Sequence, residues 1–222
     1  MKFSEWKPTY ERICAEMGYD PGMDEMSVRT LTAVTQNSDL RDEDSLIPLI
    51  EDTVTVFGDS PGLESDISIV IPEGTLIAAG SATKRMISAG FRPDIIVTDL
   101  DGEISSQLEA SSDGAVTVIL AHGDNADLIR EYAPQFKGPI VLTTQGEPRG
   151  NVLDFGGFTD GDRAVCMARE FGAQKIILVG FDFDTPSPKT GRDPAVKLSK
   201  LSWAKKIIFA NGGNDIILPK PI

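Results

Sequence analysis

The pattern of apolar and polar positions divides the chain into two parts. In the first part, apolar side chains recur at helical spacing until Gly18, at Trp6, Tyr10, Ile13 and Met17. Residues at these intervals lie on one face of an α-helix, and a glycine is a common helix end. The pattern therefore predicts an amphipathic helix that packs against a core.

Two further helices are predicted before residue 53. One covers residues 24–36, with Met26, Leu31 and Val34 as its apolar anchors, and a short acidic helix lies near residues 44–51. We therefore interpret residues 1–52 as a helical N-terminal segment.

From residue 53 onwards, short aliphatic runs alternate with helical stretches. Strands are predicted at 53–57, 75–79, 95–97, 115–120, 139–143, 175–179 and 215–218, and helices at 82–89, 124–136, 162–171 and 194–209. Uninterrupted β-branched runs are typical of strands buried on both faces, as in parallel sheets. The alternation predicts an α/β domain over residues 53–222, with a mostly parallel sheet flanked by helices on both faces.

Composition and charge narrow the classes of partner. The 222 residues carry a formal net charge of −13, with 41% hydrophobic and 25% charged residues. Such an acidic chain disfavours nucleic acid and anionic membrane surfaces as partners, because both attract clustered Lys and Arg. No apolar run approaches a membrane span of about 20 residues, and the first residues lack a signal-peptide pattern. We expect a soluble, cytoplasmic protein that binds small molecules, with Cys14 and Cys166 reduced.

The strongest candidate site follows the strand at residues 95–97, where the chain reads Thr98-Asp99-Leu100-Asp101-Gly102. Side chains at positions i and i+2 of an extended backbone point to the same side, so both carboxylates can reach one ion. Open α/β sheets bind ligands at the carboxyl ends of their strands. A polar strand exit with two solvated aspartates is the equally simple alternative.

Two glycine-containing loops are weaker candidates for phosphate contact. The loop at residues 58–62 lacks the P-loop motif, and glycine-rich loops are common in α/β folds. Gly80 and Ser81 directly precede the predicted helix at 82–89. Small residues at this position allow a phosphate to approach the backbone N–H groups of the helix N-terminus. Lys84 and Arg85 fit either a phosphate contact or a solvated helix face.

A third polar stretch follows the strand at residues 115–120. It contains His122, the chain's single histidine, together with Asp124 and Asp127 on one face of the next helix. Aspartates are also ordinary residues at a helix N-terminus. A histidine at a strand exit beside two aspartates nevertheless favours a site.

Two late motifs complete the candidates. Residues 156–163 are rich in glycine and include Asp162 and Arg163 just before a helix. Asp182 and Asp184 repeat the i, i+2 acidic spacing after another buried strand. They are followed by a basic group that fits a polyphosphate, formed by Lys189, Arg192, Lys197 and Lys200.

These motifs resemble those of two related pyrophosphokinase families. The Gly80 loop, a helix, and the run from Pro93 to Gly102 are similar to thiamine pyrophosphokinases, although Ala79, Thr83 and His122 depart from that family's pattern. The Val-Thr-Asp-Leu-Asp-Gly, Ala-His-Gly-Asp-Asn and Gly-Gly-Phe-Thr-Asp-Gly-Asp-Arg-Ala stretches are more similar to archaeal 6-hydroxymethyl-7,8-dihydropterin pyrophosphokinases. That resemblance runs nearly end to end.

The resemblance implies a fold like the thiamine pyrophosphokinase catalytic domain and a specific reaction. A pyrophosphoryl group would pass from ATP to the hydroxymethyl oxygen of 6-hydroxymethyl-7,8-dihydropterin, with AMP as the second product, in tetrahydromethanopterin or folate-type cofactor synthesis. Proteins with a sheet of this kind often form homodimers, so a homodimer is a further expectation.

The reaction needs alignment and charge neutralisation, which assigns roles to the candidates. Asp99 and Asp101 are expected to bind Mg²⁺, because this ion takes one or two carboxylates together with phosphate oxygens. Asp124 and Asp127 are further ligands or support them, and His122 fits either role. Contacts to nucleotide, phosphate or substrate are expected from Gly80, Ser81, Lys84, Asp162 and Arg163.

Three other functions remain open on the sequence. A haloacid-dehalogenase-type phosphatase also uses an Asp-Leu-Asp-Gly strand end, but Glu103 stands where that family has threonine. Thiamine pyrophosphokinase shares the reaction and differs in its acceptor. A non-catalytic nucleotide-binding module would not need several clustered aspartates.

Overall fold

The computed structural model describes residues 2–185 and 193–219. The helices are Phe3–Met17 (α1), Pro21–Val34 (α2), Leu63–Ile69 (α3), Ala82–Ser88 (α4), Ser105–Ser112 (α5), Ala126–Tyr132 (α6), Asp160–Glu170 (α7) and Pro194–Ile208 (α8). The strands are Leu40–Arg41 (β1), Thr53–Phe57 (β2), Thr75–Ala79 (β3), Ile95–Thr98 (β4), Val116–Ala121 (β5), Ile140–Thr144 (β6), Val152–Leu153 (β7), Lys175–Val179 (β8) and Ile216–Ile217 (β9).

The nine strands form one sheet in the order β1-β6-β5-β4-β3-β2-β8-β9, and β7 pairs with the far end of β6. Every pairing between these strands is parallel. The predicted α/β class with a mostly parallel sheet is confirmed. Because the strands are parallel, the loops after β2, β3, β4, β5, β6 and β8 all emerge at one edge of the sheet.

Helices cover both faces of the sheet, as alternate buried residues of each strand require. On one face, Val97 and Val118 pack against α7, and α8 packs behind it. On the other face, Ile119 and Leu142 pack against α2 and α6, while α3 and α4 cover β2, β3 and β8. α7 crosses over β2, β3 and β4, which brings its first residues to the edge where those strands end.

The N-terminal helices pack closely on this domain. The predicted stripe of α1 packs with Phe158, Cys166 and Trp203 and is buried except for the partly buried Met17, and Gly18 ends the helix with φ 70°. α2 lies on α6, β5 and β6. Trp6 of α1 donates to the carbonyl oxygen of Gln145, which follows β6, so both helices stand near the edge where β6 ends.

Several sequence predictions in this region were wrong. Met26 is 44% exposed, whereas Leu31 is buried as predicted, together with Asp24, Ser27 and Val28. The expected acidic helix near residues 44–51 is a single 3₁₀ turn at Glu43–Ser45, which follows the short edge strand β1. Helices α3 and α5 and strand β7 were not predicted.

In the described part of the chain, no helix combines the length and apolar character that crossing a membrane requires.

Candidate active site

Two adjoining cavities lie at the carboxyl edge of the sheet. The larger encloses about 610 Å³ between the N-terminal helices, the loops after β4 and β5, and α8. The smaller encloses about 230 Å³ and is lined by the loops after β2, β3 and β8. Both are lined by Asp101, Asp160 and Lys197. A ligand in either cavity would therefore meet the same two carboxylates.

The smaller cavity lies at the point where the strand order reverses. β2 pairs with β3, the next strand along the chain, on one side. On its other side it pairs with β8, although 117 residues lie between the last residue of β2 and the first residue of β8. Open α/β sheets bind ligands at such switch points. The two loops approach closely here, and a Cβ on Gly58 would lie 2.6 Å from the carbonyl oxygen of Gly180. Glycine at this position permits the approach.

Asp99 and Asp101 both line the larger cavity, but the reason differs from the one predicted. The strand ends at Thr98, and Leu100 has a left-handed φ of 67°, so the backbone of this pair is not extended. Instead, the N–H of Asp101 donates to Asp99 Oδ1 at 3.0 Å, which closes a tight turn. A non-glycine residue with positive φ stores strain, and such strain is often found at functional sites.

Asp160 is a third carboxylate at this point, and the sequence analysis missed it. It is the first residue of α7 and lines both cavities. Its Oδ1 atom is buried and has no hydrogen-bond partner in the described structure. A Cβ on Gly80 would stand 2.6 Å from Asp160 Oδ2, so the glycine leaves room for this carboxylate. A buried acceptor without a donor on a cavity wall fits a site that a bound group completes.

The charges of the neighbouring carboxylates act on the pKa of Asp160. Burial, followed by the charges of Asp99 and Asp101, raises the pKa of Asp160 well above its ordinary range. Burial also tends to raise the pKa of Asp99, but the hydrogen bond and charge of His122 outweigh it and lower the pKa overall. Like-charged carboxylates at one point favour a cation between them.

A complete metal site made of protein side chains alone is absent from the described residues, where no group of three or more His, Cys, Asp or Glu has the required arrangement. Mg²⁺ does not need one, because it binds one or two carboxylates and takes its other ligands from phosphate and water. The crowded carboxylates and the unpaired Asp160 oxygen fit that pattern.

His122 joins two of the predicted residues. Its Nε2 lies 3.4 Å from Asp99 Oδ2, and its Nδ1 lies 3.0 Å from Asp124 Oδ1. Burial tends to lower the pKa of His122, but the hydrogen bonds to Asp124 and Asp99 outweigh it and raise the pKa to about 9. The side chain is therefore an imidazolium at neutral pH, so it adds a positive charge to the cavity wall.

Asn125 holds the loops after β4 and β5 together. Its Oδ1 accepts from the backbone N–H of His122 at 3.0 Å, while its Nδ2 donates to the carbonyl oxygens of Asp99 and Leu120 at 2.9 and 2.7 Å. Because the side chain is buried and uses both ends of its amide, the spacing between Asp99 and His122 is rigid.

Of the other residues predicted to contact ligand, two line a cavity and two do not. Ser81 lines the smaller cavity, and Asp124 lines the larger one. Lys84 is exposed and lines neither cavity. Asp127 also lines neither, has a 97% exposed side chain, and pairs with Arg130 at 2.5 Å.

Asp162 and Arg163 lie beneath the site and bind protein backbone. Asp162 Oδ1 accepts from the N–H groups of Phe158 and Thr159 at 2.8 and 2.6 Å, as part of the capping box of α7. Arg163 is fully buried and donates to the carbonyl oxygens of Thr144 and Gly157 at 3.1 and 2.7 Å. These contacts fix the loop that carries Asp160.

Replacement of Arg163 by Ala should destabilise the protein by about 3 kcal/mol or more, because it leaves two buried carbonyls without donors and opens a cavity. Denaturant unfolding measures this loss. Arg130→Ala is the control, since Arg130 is 53% exposed and should change the unfolding free energy by less than about 0.5 kcal/mol. Unchanged stability together with a weaker affinity for substrate would instead make Arg163 a ligand contact.

The second acidic pair and the lysines flank the cavities. Asp182 lines the smaller cavity and accepts the N–H groups of Asp184 and Thr185, both at 2.9 Å. Asp184 is 82% exposed and pairs with Lys205 at 3.2 Å. Lys197 lines both cavities and Lys200 lines the larger one, whereas Lys189 and Arg192 lie outside the described residues.

Comparison with known proteins gives a consistent result. Residues 29–187 match the family model described as "6-hydroxymethylpterin diphosphokinase MptE-like". The chain is 42% identical to the 6-hydroxymethyl-7,8-dihydropterin pyrophosphokinase of Pyrococcus furiosus, with 98% of each chain covered. Enzymes of the same name from Methanothermobacter thermautotrophicus and Methanocaldococcus jannaschii are 38% and 33% identical, over 94% of this chain and 94–95% of theirs.

A solved structure shares the fold alone. The MAf glycosyltransferase from Magnetospirillum magneticum AMB-1 superposes with a TM-score of 0.55 at 15% identity. The match covers 90% of this chain and 37% of the glycosyltransferase chain.

Proposed function

Since this chain belongs to the MptE-like family of 6-hydroxymethylpterin diphosphokinases, we propose that it uses ATP as the pyrophosphoryl donor and releases AMP. The acceptor is 6-hydroxymethyl-7,8-dihydropterin, and the enzyme is a pyrophosphokinase. The observation that carries this conclusion is the 33–42% identity to enzymes of that name over nearly the whole chain.

We propose that Asp99, Asp101 and Asp160 hold Mg²⁺ together with phosphate oxygens of the nucleotide. The buried Oδ1 of Asp160, which lacks a partner in the described structure, supports this assignment. Bound Mg²⁺ would neutralise charge that builds up on the phosphates during transfer. Asp124 supports these three carboxylates indirectly, because it pairs with His122, whose imidazolium faces Asp99.

The two cavities suit the two substrates. The smaller lies at the switch point, where Ser81 and the glycine-rich loops leave backbone accessible to a nucleotide. The larger is of a size that suits a small heterocycle together with part of a phosphate chain. Because Asp101 and Asp160 line both, the phosphates would lie at the junction, with Lys197 beside them. There the acceptor's hydroxymethyl oxygen can approach the β-phosphorus in line with the departing AMP oxygen.

A direct assay tests this proposal. Purified protein, ATP, Mg²⁺ and 6-hydroxymethyl-7,8-dihydropterin should yield AMP and the pterin diphosphate in equal amounts, and EDTA should stop the reaction. ADP as the nucleotide product would overturn the pyrophosphoryl transfer. Thiamine in place of the pterin is the control acceptor and should give no AMP.

A cytoplasmic location and a homodimer stay predictions.

A further inference from the structure

The inner wall of the larger cavity contains a buried polar group that the reaction chemistry does not use. It consists of Asp24 of α2, Tyr10 of α1, and Gln145, which follows β6. Asp24 is only 5% exposed, yet it lines the cavity, as does Gln145. A buried carboxylate on a cavity wall is costly unless its partners or a ligand satisfy it.

Both protein partners of Asp24 are donors. Tyr10 donates its hydroxyl to Asp24 Oδ2 at 2.6 Å, and Gln145 Nε2 lies 3.1 and 3.3 Å from Oδ2 and Oδ1. Burial and this hydrogen bond raise the pKa of Tyr10, so the tyrosine remains a donor. Since the amide nitrogen of Gln145 faces the carboxylate, its oxygen is left as an acceptor.

Gly123 lines the cavity next to Asp24 and has no side chain that could cover it. A Cβ there would stand 3.5 Å from Asp24 Oδ1 and 3.3 Å from the Cβ of Met23. Oδ1 is also the oxygen with the weaker protein contact, since the tyrosine hydroxyl bonds Oδ2. The carboxylate therefore presents an acceptor toward the same cavity that Asp99 and Asp101 line.

The remaining walls suit a flat ring. Phe158 lines the cavity beside Tyr19, with ring centroids 6.1 Å apart, and the Lys200 ammonium lies 5.6 Å from the Phe158 centroid. Aromatic and apolar surface with a few placed polar groups is the usual construction of a heterocycle pocket. The group formed by Asp24 and its partners would determine which edge of the ring is accepted.

We propose that Asp24, held by Tyr10 and Gln145, recognises the 2-amino-4-oxopyrimidine edge of the pterin. This assignment rests on the proposed function for the identity of the acceptor. That edge presents two adjacent donors, the ring N3–H and the 2-amino group, and Asp24 Oδ1 has the capacity to accept from them. The adenine of ATP presents an acceptor, N1, beside its amino group, so the same wall disfavours the nucleotide base. Asp24 is thus a specificity residue in the same cavity that Asp99 and Asp101 line.

The test combines one substitution with one change in the acceptor. The acceptors are 6-hydroxymethyl-7,8-dihydropterin and its 2-oxo analogue, the corresponding lumazine, which lacks the amino donor. The wild-type enzyme should prefer the pterin by at least about 100-fold in kcat/KM, because the analogue places an oxygen against the carboxylate. Asp24→Asn should lower the value for the pterin by about 10- to 100-fold and reduce the preference by more than about tenfold. The KM for ATP should stay unchanged.

Glu25→Gln is the matched control. It removes the same charge from the next position of α2, where Glu25 pairs with Arg29 and Arg149 at the surface. This variant should keep the wild-type preference. An equal loss for both acceptors in Asp24→Asn, or a higher KM for ATP, would overturn the assignment, as would a wild-type enzyme indifferent to the 2-amino group.

A binding measurement separates this inference from the proposed function. Fluorescence titration with oxidised 6-hydroxymethylpterin, in the absence of ATP, reports binding without turnover. Binding that Asp24→Asn weakens supports the subsite even where no AMP is released, and in that case only the proposed reaction fails. Binding that is equal in the wild type and in Asp24→Asn overturns the subsite, whether or not AMP is released.

Discussion

Replacement of Asp101 by Asn should abolish pyrophosphoryl transfer while the protein stays folded. Asp101 lines both cavities, so its carboxylate is placed to bind a cation shared by the two substrates. Asparagine keeps the shape but lacks the charge that Mg²⁺ requires from its few protein ligands. Loss of several kcal/mol of charge stabilisation corresponds to a fall of about 10³-fold or more in kcat. AMP release at saturating ATP and pterin measures it.

Asp113→Asn is the control for this substitution. Asp113 is 58% exposed and pairs with Arg92 at 3.3 Å, away from both cavities. The control should retain the wild-type rate, and both variants should keep their far-ultraviolet circular dichroism. A wild-type rate in Asp101→Asn would rule out its role as a metal ligand.

Most of the sheet could be predicted because its strands carry their own signal. The strands β2, β3 and β8 have the predicted bounds, since each is a mostly aliphatic or β-branched run that a glycine follows. Helix α5 escaped prediction because its sequence, Ser-Ser-Gln-Leu-Glu-Ala-Ser-Ser, has no apolar period. The strands β1 and β7 have only two residues each, too few to show a pattern, and β1 pairs with β6 about 100 residues further along the chain.

Asp99 and Asp101 were predicted for the candidate site, whereas Asp160 was not. The stretch Thr159-Asp160-Gly161-Asp162 contains two aspartates, of which the sequence analysis selected Asp162. A capping box places a threonine three residues before an acidic residue, and this rule assigns Asp162 to the helix end. Asp160 was thereby the residue left for a ligand. Its meeting with Asp101 depends on the crossing of α7 over the sheet, which local sequence does not specify.

The position of Asp24 in the sequence of α2 also indicates an unusual residue. It stands at i, Val28 at i+4 and Leu31 at i+7, so an aspartate interrupts the buried face of α2. A charged residue in such a stripe is rarely buried without a partner. Its partners come from α1 and from the end of β6, 121 residues away in the case of Gln145. Tertiary contacts of this range are beyond pattern analysis.

Asp160→Asn should make the metal-free protein more stable and the enzyme poorer at using Mg²⁺. Burial and the charges of Asp99 and Asp101 raise the pKa of Asp160, because both oppose a negative charge on its side chain. An amide removes that repulsion and can donate to the neighbouring carboxylates. A gain of about 1 kcal/mol would raise Tm by about 2–4 °C for a chain of this size. Thermal unfolding in EDTA measures the gain.

Addition of Mg²⁺ should reverse that order. A ligand that binds only the folded state raises its stability in proportion to the logarithm of its concentration over Kd, so the wild type should gain more than the variant. The Mg²⁺ concentration for half-maximal AMP release should rise by about tenfold or more in Asp160→Asn. A variant that is less stable in EDTA and has an unchanged Mg²⁺ requirement would make Asp160 a structural residue. A stability change of opposite sign in EDTA and in Mg²⁺ therefore distinguishes a carboxylate that binds a cation from one that stabilises the fold.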